Sequence, residues 1–414
     1  MVASTYANAA RYLYSLGNEV LTAKLGLERI AVLLEGLGNP HRACRWVHVA
    51  GTNGKGSTCA MIEAGLRAAG VHTGLYTSPH LIEPTERIQI AGRPVTPQQF
   101  ANAFESVHET AGRMVASGEL DMHPTFFETV TAMAFVLFAD AKLDTVVLEV
   151  GLGGRLDATN VVTPTLCVIT PIDYDHQIFL GDTLEQIAAE KAGILKPGVP
   201  AVFAEQWPEA EAVLREHARG PYTLSRDWPI TDLAIDSRGS RFCFQGIEVR
   251  CPLAGEHQVE NARVAAVALA QLGISAAGIV TARWPGRLER VSERPEIIID
   301  GAHNPAGTRA LAGYIQRFYS GRRVWMVYGA LRDKAVTEMT SLLFPLSDRI
   351  VLTAPANTRA LPPEAIDAPG ATITHSIAEA IGKLSEATPG DVIFITGSLY
   401  LVGEARALLV KENS

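Results

Sequence analysis

The sequence is short of the features that would take it out of the ordinary globular class. Its five cysteines, Cys44, Cys59, Cys167, Cys243 and Cys251, are odd in number and never spaced as CxxC. That pattern supports neither a disulfide framework nor a structural zinc site, and leaves them as small buried apolar residues. No apolar run approaches the length of a membrane span, and Met1 to Val20 lacks a charged segment followed by an apolar core. No membrane partner is expected, and a cytoplasmic location is. Positive charge is also in deficit: 36 Lys and Arg against 44 Asp and Glu give a net charge of −8. This argues against a nucleic-acid partner, and any anionic ligand must be met by local basic residues.

What is there fits a two-domain protein. The 414 residues exceed the size at which one core usually stops growing, and 47% hydrophobic residues supply ample interior. The chain is organised around Val47-His48-Val49-Ala50-Gly51-Thr52-Asn53-Gly54-Lys55-Gly56-Ser57-Thr58, which reads as a short strand, a glycine-rich turn and the start of a helix. Glycines let successive N–H groups point into one concavity, and the helix adds the positive end of its dipole, so a polyphosphate fits there. Lys55 can reach the terminal phosphates, and the Ser57 or Thr58 hydroxyl can face magnesium. The general phosphate-loop pattern is met imperfectly, since Val49 stands where a glycine is usual and Gly56 separates lysine from hydroxyl.

Residues 4–37 read as helix broken at Gly17 and Gly26, and the strand Thr73–Thr77 ends in Ser78-Pro79-His80. The stretch from Glu86 to Pro94 suggests a hairpin-like excursion, and 97–117 an amphipathic helix. Thr125 and Glu128 have capping-box spacing at the start of an apolar helix that carries Phe126 and Phe127. The strand Thr145–Val150 is apolar except for Glu149. A buried carboxylate needs a partner, and beside a phosphate loop that partner is a metal ion or, as the alternative, Arg155. The glycine-rich exit Gly151–Asn160 has the composition of a loop that serves a site. A strand Leu166–Thr170 leads to Asp173-Tyr174-Asp175-His176, and Lys191 sits near a helix end before Gly193. Short strands with a hairpin at 242–249 follow, then Gly255–Asn261 and an alanine-rich helix 262–272. The break at Trp284-Pro285-Gly286-Arg287 divides the chain into 1–284 and 285–414. Beyond it α/β alternation resumes, with Asp300 and His303 at the end of its first strand.

In order, Gly-Thr-Asn-Gly-Lys-Gly-Ser, Ser-Pro-His, Glu-Val-Gly-Leu-Gly-Gly-Arg-Leu-Asp-Ala-Thr-Asn, Asp-His, Glu-Lys-Ala-Gly-Ile, His-Gln-x-x-Asn-Ala, Pro-Gly-Arg-Leu-Glu and Asp-Gly-Ala-His-Asn-Pro occupy the chain from about Leu25 to Gly403. This set resembles the bacterial bifunctional dihydrofolate synthase/folylpolyglutamate synthases of the Mur ligase superfamily. The resemblance implies an α/β fold: a large N-terminal P-loop NTPase-like domain with a mainly parallel sheet, and a smaller Rossmann-like domain that completes the ATP site and binds glutamate. It implies ATP held by Gly51, Thr52, Asn53, Gly54, Lys55, Gly56 and Ser57, with Asn261, Arg287 and Asp300 as further contacts and His303 beside them. It implies two magnesium ions, one on Ser78 and Glu149 and one on His176, and a carbamylated Lys191 facing the second. Lys55, Lys191, His176 and His303 would be the catalytic set.

For the substrate side, the resemblance implies that Leu25, Gly26 and Leu27 close over a pterin, with Phe127 packed on its flat face beside Thr125, Asp157 hydrogen-bonding its amino-pyrimidine ring and Arg155 in the same loop; the alternative is Phe127 as core and Asp157 as a cap of the loop. Ser398 and Tyr400 are set against glutamate. The expected reaction joins L-glutamate to dihydropteroate and reduced folates through an acyl phosphate, in a monomer. A synthase that only extends folates is the alternative; a peptidoglycan-precursor ligase fits less well, with only some 45 residues ahead of the phosphate loop. A nucleotide-switch module would leave Glu149, His176 and Asp300 without a task.

Overall fold

The computed structural model describes residues 5–16 and 26–410. Leu25, expected in the pterin hinge, lies outside the described residues. By contacts the chain divides into two compact units, Met1–Ile230 with Asn261–Ala282, and Thr231–Glu260 with Arg283–Ser414.

The first unit is built on an eight-stranded sheet in the order β4-β3-β2-β5-β1-β6-β7-β8. Its strands are β1 (Arg45–Ala50), β2 (Thr73–Tyr76), β3 (Ile88–Ile90), β4 (Arg93–Pro94), β5 (Thr145–Glu149), β6 (Leu166–Ile169), β7 (Ala201–Phe203) and β8 (Tyr222–Leu224). From β2 to β8 all neighbours are parallel, and only the β2–β3–β4 excursion is antiparallel. The central strands β1, β5 and β6 are almost wholly buried, as runs of Val, Leu and Ile covered on both faces require. Helices α1 (Tyr6–Ser15), α2 (Glu28–Gly36), α3 (Lys55–Ala68), α4 (Pro97–Ser117), α5 (Phe126–Asp140), α6 (Gln177–Leu180), α7 (Leu184–Ala192) and α8 (Pro208–His217) belong to this unit. The expected helix at 97–117 and the capping box of Thr125 and Glu128 are both present.

Helix α9 (Glu256–Gln271) starts six residues earlier than its alanine-rich part suggests. Gly255, at φ +99°, supplies the break that precedes it, and polar Glu256 to Asn261 form its first turns. The division between the units passes through this helix. In the second unit, strands β9 (Ile230–Asp236), β10 (Gly239–Phe244) and β11 (Ile247–Cys251) form a small sheet, with β10 and β11 the expected hairpin.

A six-stranded sheet in the order β12-β13-β17-β14-β15-β16 completes the second unit, from β12 (Glu289–Glu293), β13 (Glu296–Asp300), β14 (Val324–Tyr328), β15 (Arg349–Leu352), β16 (Thr372–Ile373) and β17 (Val392–Thr396). It is parallel except for β12. Helices α10 (Pro305–Tyr319), α11 (Val336–Leu343), α12 (Ile377–Lys383) and α13 (Leu399–Leu409) connect its strands. By contacts the division falls after Ala282, and residues 231–260 group with the second unit. Side-chain contacts account for this: the Tyr314 hydroxyl donates to the Ser237 carbonyl at 2.7 Å and Arg238 pairs with Glu293 at 3.0 Å. Local sequence pattern does not encode such long-range ties. Among the described residues no helix is long and apolar enough to cross a membrane.

Candidate active site

The carboxyl ends of β1, β2, β5 and β6 converge on one region, because parallel strands deliver their exits to the same edge of the sheet. Gly51 to Gly54 leave β1 and enter α3 with Gly54 as its N-cap at φ +83°. Glycine is required twice here. A Cβ on Gly51 (φ +145°) would lie 1.9 Å from Thr170 Oγ1, and one on Gly54 would lie 2.2 Å from Asn261 Oδ1. Asn261 is thus placed against the loop. Gly54→Ala should weaken binding of a non-hydrolysable ATP analogue by about 1–3 kcal/mol through backbone strain and the Asn261 clash, as titration calorimetry would record.

Lys55 Nζ donates to the carbonyls of Gly51 and Thr52, both at 3.1 Å, and Lys191 Nζ donates to the same Gly51 carbonyl at 2.9 Å. Lys191, near the end of α7, is buried. Desolvation, then the neighbouring Lys55, push its pKa down to about 7, against the pull of Asp175, Asp157 and Glu190. A lysine in that state is partly neutral at physiological pH.

Glu149 ends β5, buried, and its Oε2 accepts the Ser78 N–H at 3.2 Å. The Ser78 hydroxyl is itself buried with no hydrogen-bond partner. An unsatisfied hydroxyl beside a buried carboxylate is a donor set for a hard cation such as Mg²⁺. The described residues contain no group of three or more His, Cys, Asp or Glu able to hold a metal, so the other ligands would come from nucleotide phosphates and water, the usual arrangement for Mg²⁺. Arg155, the alternative partner for Glu149, pairs with Glu190 at 2.8 Å. His176 takes a left-handed backbone at φ +51° ahead of the one-turn α6, with Nε2 at 3.9 Å from Asp175 Oδ1.

Asp157 is buried and its oxygens serve the glycine-rich loop. Oδ2 accepts from Leu152 N–H at 2.8 Å, and Oδ1 accepts from the Thr159 N–H at 3.0 Å and hydroxyl at 2.5 Å. Because the Thr159 hydroxyl donates to Asp157, His48 Nε2, 2.9 Å away, must donate to that hydroxyl oxygen. Burial and Lys196 hold this histidine neutral, down to about 3. The Phe127 ring rests against Gly151, where a Cβ would lie 2.4 Å from its Cζ. Leu27 instead lines an open groove with Ala31, Val32, Glu35, His41, Arg42 and Val161.

The structure also shows a network that sequence reasoning missed. Arg87 Nε donates to His80 Nδ1 at 2.8 Å, so Nε2 carries the proton and donates to the Tyr14 hydroxyl at 3.1 Å. Burial, then Arg87, push His80 down to about 3. His80 therefore ties the loop bearing Ser78 to α1. Only the Ser-Pro-His motif hinted at it; Arg87 follows seven residues on, but Tyr14 lies 66 residues earlier in the chain.

In the second unit Asp300 is buried at the end of β13, accepting N–H groups from Leu288 at 2.9 Å and Ala302 at 3.0 Å. Burial raises its pKa, opposed first by Arg287. His303 Nδ1 donates to the Gly301 carbonyl at 2.7 Å. Ser398 caps α13, accepting from Tyr400 N–H at 3.2 Å, and Tyr400 is exposed.

A model of the Mur ligase middle domain matches residues 49–269, and one of the Mur ligase glutamate ligase domain matches 286–399. The chain belongs to the Mur ligase family. Among relatives of this Mur ligase, the dihydrofolate synthase/folylpolyglutamate synthase of Bacillus subtilis is 37% identical, over 98% of this chain and 99% of its own. The folylpolyglutamate synthase of Lacticaseibacillus casei is 34% identical over 99% of this chain and 100% of its own. Mycobacterium tuberculosis folylpolyglutamate synthase complexed with ADP and AMPPCP superposes with a TM-score of 0.89 at 33% identity, covering 99% and 100% of the two chains. E. coli FolC in complex with DHPP and ADP gives 0.87 at 31%, covering 98% of each.

Proposed function

We propose that this Mur ligase joins L-glutamate to 7,8-dihydropteroate and to reduced folates at the expense of ATP, releasing ADP and phosphate. The observation that carries the reading is the meeting of the Gly51–Ser57 loop, the buried Glu149 with its orphaned Ser78 hydroxyl, and the buried Lys191 amine at one sheet edge. A substrate carboxylate oxygen attacks the γ-phosphorus and the bond to ADP breaks, giving an acyl phosphate. The glutamate amine then adds to the acyl carbon, phosphate leaves, and the amine's proton passes to a base. The chain's own groups position and neutralise. The loop N–H groups hold the phosphates, and Lys55 turns from its loop carbonyls to the transferring phosphoryl group. Magnesium on Ser78 and Glu149, and a second ion toward His176, would offset charge on the phosphates.

Lys191 acts in this scheme as a carbamate. Its neutral amine would add to CO₂ and give up a proton to water, so that an uncharged side chain becomes an anion able to hold a second metal ion. Asn261, Arg287 and Asp300 are assigned to ATP, with His303 beside them. Gly26, Leu27, Thr125, Phe127, Arg155 and Asp157 are assigned to the pterin side, and Ser398 and Tyr400 to glutamate. A monomer in the cytoplasm is the state proposed.

A second reading, extension of folates alone, is favoured by the likeness to the L. casei folylpolyglutamate synthase. ADP release separates the two. Turnover with dihydropteroate, glutamate and ATP is expected, and its loss in Asp157→Ala would be expected too. Turnover with tetrahydrofolate but none with dihydropteroate would leave only the second reading.

A further inference from the structure

Arg29 lies in the first turn of α2, just past Gly26 and Leu27, and its side chain is only 8% exposed. Its Nη1 donates to Oε2 of Glu128, which is 5% exposed, at 3.0 Å. The same Oε2 accepts the Thr125 N–H at 2.8 Å, closing the capping box of α5. Glu128 Oε1 and Arg29 Nε are buried without hydrogen-bond partners, although the exposed Asp121 carboxylate stands 3.5 Å from that Nε. A buried pair joined through one contact, with a polar atom unsatisfied on each side, returns little net stability for the desolvation of two charges. What such a pair can fix is position.

Its position matters because of what hangs on the cap. Thr125 is the N-cap and Phe127 the second residue of α5, and the Phe127 ring already touches Gly151, the second residue after Glu149. The ring stands against the loop on that side, and the cap fixes where its backbone leaves the helix start. We propose that Arg29 is a positioning residue for the pterin side of the site, setting Thr125 and Phe127 through Glu128. This rests on the assignment of those two residues to the substrate wall. The segment 26–29 thereby acts on the substrate through an ion pair as well as through any contact of its own.

The test is the double variant Arg29→Met/Glu128→Gln, which removes both charges while the glutamine oxygen still accepts the Thr125 N–H. Arg29→Met alone would strand a buried carboxylate and risks misfolding, so the double variant and Arg29→Lys carry the measurement. The double variant is expected to melt within about 5 °C of wild type. Its KM for dihydropteroate should rise about tenfold while its KM for ATP stays within about twofold, with Arg29→Lys between the two proteins. A wild-type KM for dihydropteroate in the folded double variant, or equal rises for both substrates, would overturn the proposal. Failure of the wall assignment shows separately, as an unchanged dihydropteroate KM in Phe127→Ala.

Discussion

Lys191→Ala is expected to lose turnover by at least about 10³-fold, because several kcal/mol of transition-state charge stabilisation would go with the lost carbamate. The melting temperature should not fall, since a buried amine whose pKa is lowered to about 7 is itself a cost of folding. The sign follows from proton counts. Between about pH 7 and the unfolded lysine's value near 10.4, the unfolded chain binds the extra proton, so this group makes stability rise with pH across that window. Below pH 7 both states are protonated and the burial penalty is fully present. Carbamylation needs the neutral amine, so wild-type activity in limiting bicarbonate should also fall as pH drops through about 7. Acetate or formate added to Lys191→Ala should restore part of the rate. An Ala variant as active as wild type would remove the carbamate from the mechanism.

Glu149→Gln is the second large effect. Glutamine keeps the shape and can still accept the Ser78 N–H, so the β5 terminus should hold and the protein should stay folded. Without the negative charge, the site loses an anionic carboxylate beside Ser78. Magnesium-dependent turnover should fall by about 10²–10³-fold, partly recovered at high magnesium. A variant that melts early while its folded fraction works normally would make Glu149 a structural carboxylate instead.

The loops at the strand exits were readable because they are local. Gly51 to Ser57, Ser78 to His80 and Gly151 to Asn160 each announce a strand exit by a change from apolar run to glycine and polar residues, and the structure sets all three at one edge. The capping box of Thr125 was readable for the same reason, as two residues at fixed spacing. What stayed hidden depends on partners far apart in sequence. Nothing local links Arg29 to Glu128, Tyr14 to His80, or His48 to Thr159. The start of α9 was missed because its first turns are polar and only its later part carries the alanine signature. The grouping of residues 231–260 escaped notice because a hairpin's pattern says nothing about which sheet it will join.

Val49 pairs with Glu149 and Tyr76 with Leu148 across parallel ladders, so the places from which the three loops depart are set by backbone hydrogen bonds and not by the identity of the side chains between them. Interchange among Val, Ile and Leu at Val47, Val146 or Val147 alters packing but leaves the ladder's register untouched. A library randomised among aliphatics along β1 and β5 should therefore yield many active members, whereas the same diversity at Gly51, Gly54, Ser78 or Glu149 should yield almost none.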